Sequence, residues 1–150
     1  MSEEKGLTRY VWLVILILGV VLIGMASMWM SMSTYIVDHT LEMSGSSLTM
    51  GSLEEEAVAA FSFIWRGLSM SGVWFGIFGL FCAWGIKRKE SFAWKLGVLW
   101  GALLIVNGIV IAVNELLILR WSTVCPGVPL NVIVGAIALG CLFAVRKKFA

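Results

Sequence analysis

The chain has 150 residues, 60% of them hydrophobic and only 13% charged, with a formal net charge of +2. A soluble domain carries about 25% charged residues, so this chain lacks the polar surface that water requires. The same composition excludes a disordered chain, and the near-neutral balance excludes nucleic acid as a partner.

The composition and its long apolar runs predict an all-α polytopic membrane protein. A helix needs about 20 apolar residues to cross a ~30 Å hydrocarbon core. Four stretches approach or exceed that length, at about 10–32, 60–86, 96–118 and 128–145. They predict one domain over residues 1–150, a bundle of four transmembrane helices.

The first stretch, from Tyr10 to Met32, carries no charge. It is longer than the 7–15-residue apolar core of a cleaved signal peptide, so it reads as a retained helix although Ala26-Ser27 offers a small-residue pair. The outer loop that follows, about 33–57, is polar. Within it Ser52-Leu53-Glu54-Glu55 has the form of a capping box, which predicts that the second helix starts near Leu53. That helix holds one charge, Arg66, and ends at Lys87, Arg88 and Lys89. The third begins after Lys95 and carries Glu115 near its far end. Pro126, Gly127 and Pro129 predict a break before the fourth, which stops at Arg146, Lys147 and Lys148.

Charge sorts along this topology. Nine of the eleven basic residues and three of the nine acids fall on one side, leaving Arg66, Arg120 and six acids on the other. The positive-inside rule then predicts that both termini are cytoplasmic. Trp12, Trp29, Trp94 and Trp121 lie near the span ends, where aromatic belts form.

Helices in lipid associate through close backbone approach, so small residues mark their contacts. Gly72 and Gly76, extended by Gly79, make one such stripe, and Gly97 and Gly101, extended by Gly108, a second. Ala136 and Gly140 form a small-xxx-small pair on the fourth helix. These stripes serve packing within the chain or against another protomer.

Ionisable residues inside a span are costly and are candidates for function. Arg66 lies 21 residues from Lys87, and Glu115 lies 20 from Lys95. At ~1.5 Å per residue both sit about 30 Å from the inner anchors, which suggests an ion pair at the outer boundary. With Asn114, Asn131, Ser69 and His39 the pair can line a polar pocket facing outward. The alternative is that both charges simply reach into the headgroups. Asn107, near the midplane, suits an interhelical hydrogen bond.

Six of the eight methionines fall between Met25 and Met50. Met25, Met28, Met30 and Met32 offer soft thioether ligands that suit Cu(I), or else flexible fillers of the bundle. Cys82 and Cys141 share a depth near the basic side and read as small buried hydrophobes, while Cys125 lies alone outside. The sequence holds no CxxC, HExxH, phosphate-binding loop or GxSxG motif, and a single histidine. The expectation is a non-enzymatic accessory, scaffold or lipid-like-ligand-binding protein without a cofactor. Its surroundings are the bilayer, with a second copy or another membrane protein as partner. A small transporter or Cu(I)-handling protein is the alternative.

Overall fold

The computed structural model describes residues 4–43, 47, 49–118 and 127–149, and every element among them is helical. Helix α1 (Glu4–Ser31) passes through a single turn residue, Met32, into α2 (Ser33–Met43). Helices α3 (Glu55–Lys87), α4 (Ser91–Val113) and α5 (Gly127–Ala144) follow, with a π-helical turn at Asn114–Ile118 after α4. Three helices are long and apolar enough to cross a membrane: Tyr10–Ser31 of α1, α3 and α4. A shorter apolar helix covers Val128–Ala144. At ~1.5 Å per residue α3 is about 50 Å long, so it outreaches a ~30 Å hydrocarbon core.

Each long helix buries a narrow stripe. On α3 it runs through Trp65, Ser69, Gly72, Gly76, Gly79, Ala83 and Ile86, alternating steps of four and three. That 3.5-residue repeat keeps one seam turned toward its neighbours. Large apolar side chains such as Ile17, Phe63, Trp74, Phe81, Leu99 and Ile133 point away from the bundle, each at least half exposed. Soluble proteins rarely expose so much apolar surface, whereas lipid solvates it.

Glycine sets the pairing. A Cβ on Gly76 would lie 2.7 Å from the Gly19 carbonyl oxygen, and one on Gly72 2.9 Å from the Ala26 Cβ. These contacts zip α1 onto α3. A Cβ on Gly135 would lie 2.6 Å from the Gly101 carbonyl oxygen, and one on Gly108 2.8 Å from Val132 Cγ2, which joins α4 to α5. Gly97 faces Leu142. The Ala136–Gly140 pair plays no such part: both residues are exposed, and a Cβ on Gly140 would meet nothing within 4 Å. The contact belongs to Gly135, one residue and about 100° of helical rotation from Ala136.

The two pairs are locked together at one end by tryptophan. The Trp100 ring, fully buried, fills the space left by Gly79, and its Nε1 donates to the Phe75 carbonyl at 2.8 Å. Trp94 Nε1 donates to the Leu142 carbonyl at 2.8 Å and meets Phe143 edge-on. Around them Val11, Ile15, Cys82, Ile86, Leu104 and Leu142 form the core. The same end carries the turn between α3 and α4, where the Glu90 amide donates to Gly85 and the Lys89 amide to Ile86. This is a Schellman closure, with Lys89 in the left-handed conformation (φ 62°) where glycine is usual. Lys87 lies 4.7 Å over the Trp12 ring and Arg88 3.7 Å over that of Trp84.

At the opposite end the structure departs from the sequence expectation in three ways. The segment read as an outer loop holds α2, whose Asp38 carboxylate accepts from the Met50 amide at 2.6 Å, while Val37 and Met50 are buried. Ser52 does not cap α3. Its hydroxyl turns back to Thr49, accepting from that amide and donating to that carbonyl, and so closes a 3₁₀ turn over Met50–Ser52. Helix α3 instead starts at Glu55 behind an extended Glu54, with Glu55 and Glu56 in the first turn where the helix dipole favours acids. Pro129 does not end a helix; it sits in the first turn of α5, where a missing amide costs no helical bond. Arg120, Trp121, Cys125 and Pro126 lie outside the described residues.

A glycine contrast within α3 checks this packing. Gly79→Ala forces a Cβ to within 2.7 Å of the Trp100 ring, whereas a Cβ on Gly67 meets nothing within 4 Å. We expect Gly79→Ala to cost about 1–3 kcal/mol, the usual overpacking penalty. Gly67→Ala should be neutral or slightly stabilising. Thermal unfolding in detergent reads both, and adding Trp100→Phe to Gly79→Ala should recover part of the loss.

Candidate functional site

Beyond Trp100, toward the end away from the α3–α4 turn, the two helix pairs enclose a part-open cavity of about 220 Å³. The stripes explain where it begins. Moving outward from Gly76 on α3, the small residues give way to Ser69 and then Trp65. On α1 the corresponding run is Leu22, Ala26 and Trp29, and on α4 the position one heptad beyond Trp100 is Asn107. Large rings and polar side chains replace glycine there, so the seam no longer closes.

The walls are mainly apolar: Leu22, Met25 and Ala26 from α1, Leu68 and Phe75 from α3, Ile111 from α4, Val128 and Leu130 from α5. Trp29 and Trp65 stack across the α1–α3 interface, with ring centroids 6.2 Å apart and planes 19° from parallel. Four polar side chains share the lining: Ser69, Ser71, Asn107 and Asn131. Ser69 is the buried polar residue of the described core. Among the described residues, no lining side chain is titratable.

One wall residue has an unmet donor. Trp65 Nε1 is screened from water and has no hydrogen-bond partner, the one such buried side-chain atom among the described residues. A buried donor left without an acceptor costs about 1–3 kcal/mol. By contrast, the Trp94 and Trp100 indoles each reach a backbone carbonyl at 2.8 Å.

The polar pocket expected from the sequence is rearranged. Ser69 and Asn131 line the cavity, joined by Asn107, which the sequence suggested only as an interhelical contact. Arg66 is exposed and lies off the cavity wall, about 100° around α3 from Trp65. Asn114 is exposed in the π-helical turn. The Glu115 side chain lies outside the described residues, and with it the expected pair to Arg66. His39 stands on α2, half-exposed, stacked on Tyr35 and 3.7 Å from the Glu42 carboxylate. It has no place in the lining.

The methionines divide as well. Met25 lines the cavity, Met28 and Met32 are exposed, and Met30 is partly buried. Five residues of helix put Met30 about 140° from Met25, so these four thioethers do not share one face. Among the described residues no group of three or more His, Cys, Asp or Glu is placed to hold a metal ion.

Sequence reasoning missed the paired indoles. Trp29 looks like an ordinary belt residue, and Trp65 has no neighbouring polar motif. The signal that finds them is register: Trp65 lies four residues before Ser69 and seven before Gly72, on the face that the glycine stripe defines.

The different fates of two indoles give a test. Trp100→Phe removes a bonded N–H and leaves the Phe75 carbonyl without it, whereas Trp65→Phe removes a donor that has no partner. We expect Trp100→Phe to lower stability by at least 1 kcal/mol more than Trp65→Phe, roughly the net value of one hydrogen bond plus lost packing. Parallel thermal melts of both variants in one detergent provide the comparison. Comparisons of the chain with protein-family models, curated proteins and solved structures returned no match.

Proposed function

We propose that the chain is a multi-pass membrane protein that holds a neutral, lipid-like molecule in the cavity between the outer halves of its helices. The observation that carries this reading is the cavity wall, apolar over most of its area and furnished with a few uncharged polar groups. Ligand sites for apolar molecules have that make-up, with sparse polar groups to fix orientation. The described wall residues include no titratable side chain, which favours binding over acid–base chemistry.

In this reading α1, α3, α4 and α5 cross the bilayer in turn, and both termini are cytoplasmic. The 18 residues of α5 fall within the range of spanning helices. Support for the orientation comes from the basic residues of the α3–α4 turn and those after α5, which belong to the Trp100 end of the bundle. The cavity then faces outward. Orientation is checked in intact cells with Cys125→Ser protein carrying one new cysteine. Glu56→Cys should react with a membrane-impermeant maleimide, and Lys147→Cys should react only after the cells are opened. The reverse pattern would invert the topology.

Binding is tested with an octanol that bears a photoactivatable diazirine. Labelling should saturate, fall to competition by plain octanol, and concentrate on residues 22–29 and 65–75. Asn107→Phe, which fills the cavity, should reduce it at least fivefold in protein that still melts cooperatively. Labelling that does not saturate and spreads over outward residues such as Phe63, Trp74 and Phe81 would refute the reading.

A further inference from the structure

The cavity wall carries polar groups that the chain leaves without partners and open to the cavity. Trp65 Nε1 is not among them, because it is sealed. Ser69, Asn107 and Asn131 line the cavity, and none of their side chains makes a hydrogen bond among the described residues. None of their polar atoms is sealed either. Ser69 is only 6% exposed, so what stays open of its hydroxyl opens on the cavity it lines. Asn107 follows Trp100 and Leu104 on the buried face of α4, and Asn131 stands between Val128 and Val134 on that of α5.

The three residues come from three helices at one level. A Cβ on Gly108 would lie 3.4 Å from the Asn131 Cβ, which puts Asn107 and Asn131 at the same height on adjoining helices. On α3 the antiparallel register that sets Gly85 against Ala93 and Gly79 against Trp100 brings Gly72 level with Asn107. Ser69 lies three residues from Gly72, about 4.5 Å along the axis.

Their chemistry defines a complement. An asparagine amide presents an acceptor oxygen and two N–H donors, and a serine hydroxyl both donates and accepts. A ligand group that also does both meets more of them than one that only accepts. The described wall residues include no charged side chain to compensate a charged group. The volume, about 220 Å³, is about one and a half times that of the ~150 Å³ cavity that admits benzene, which leaves room for roughly nine heavy atoms.

We propose that the cavity selects neutral alcohols, an apolar ring or chain end bearing one hydroxyl, and that Asn107 and Asn131 hold this hydroxyl beside Ser69. This rests on the binding role proposed above and adds to it a ligand class. Hydrocarbon fills the same volume and meets none of the three side chains. A ketone accepts from the amide N–H groups and leaves the amide oxygens unmet.

The chain has three asparagines, Asn107, Asn114 and Asn131, so ¹⁵N labelling of asparagine side chains gives three amide signals. Each is assigned by its loss in the matching leucine variant, and Asn114, exposed in the π-helical turn, is the internal control. The probes are 1-octanol, 2-octanone and nonane, of equal heavy-atom count, added at equal mole fraction to purified full-length protein in micelles. Affinity is read as competition against the photoactivatable octanol.

We expect 1-octanol to shift the Asn107 and Asn131 signals, to leave that of Asn114 in place, and to compete about tenfold better than nonane, the discrimination given by one or two satisfied hydrogen bonds. 2-Octanone should fall between them. In Asn107→Leu and Asn131→Leu the preference for octanol over nonane should fall to about twofold or less, and in Asn114→Leu it should persist. Equal competition by all three probes would overturn the alcohol class while leaving a purely apolar site, and equal competition by octanol and octanone would overturn the hydroxyl. A preference that survives both cavity variants would overturn the role of the asparagines. Absence of saturable labelling would overturn this inference and the binding role together. If the leucine variants do not fold, the wild-type comparison of the three probes still decides the matter.

Discussion

Trp100 against Gly79 is the contact on which the rest of the bundle depends. The absence of a side chain at Gly79 admits the largest fully buried side chain among the described residues, and the Phe75 carbonyl fixes that ring through its indole nitrogen. In lipid there is no hydrophobic drive to bring helices together, so close packing and a hydrogen bond must do it. This contact joins α3 to α4, with Gly85 against Ala93 and Gly97 against Ile86 beside it, and so holds the α1–α3 pair to the α4–α5 pair. It also fixes where the bundle stops being solid. Toward the α3–α4 turn from Trp100 the seam is filled by Ile15, Cys82, Ile86 and Leu142. Outward of it the stripe residues become Ser69, Trp65 and Trp29, and the seam opens into a cavity.

The long apolar helices were legible because lipid imposes a length, and length can be counted along a chain. The packing glycines of α3 and α4 were legible for a related reason: only the smallest residues permit backbone approach. Rotation was harder to read. Helices α4 and α5 are apolar on every face, so they lack the contrast between wet and dry sides that betrays orientation in a soluble helix. Gly135 and Ala136 are adjacent small residues, each followed by a partner at helical spacing, and hydropathy does not choose between them. The choice is made by Gly101 on the neighbouring helix, which the sequence of α5 does not contain.

The site was less legible than the fold for a physical reason of its own. Charge draws attention in an apolar sequence, so Arg66 and His39 stand out, yet charged groups near a helix end gain by reaching outward to water and headgroups. The groups that remain facing inward are those whose polarity is small enough to leave water: an asparagine, a serine, an indole N–H. Asn107 and Asn131 thus mark the cavity better than the charges do. Trp65 marks it best, through an absence of bonding that only three-dimensional structure can show.

These features belong to one compromise between packing and binding. Extending the glycine register outward past Gly72 would bring α1 and α3 closer and remove the cavity, with the packing that the inner half already enjoys. The chain instead places two indoles there and leaves one donor unmet, at a cost comparable to a sizeable part of a domain's net stability. Such a cost is tolerable when the occupant offsets it. A ligand that binds only the folded state at 100 times its Kd stabilises by about 2.7 kcal/mol, similar in size to the penalty of the unpaired N–H. In the proposed reading, the half of the bundle away from the α3–α4 turn has its core completed by the bound molecule.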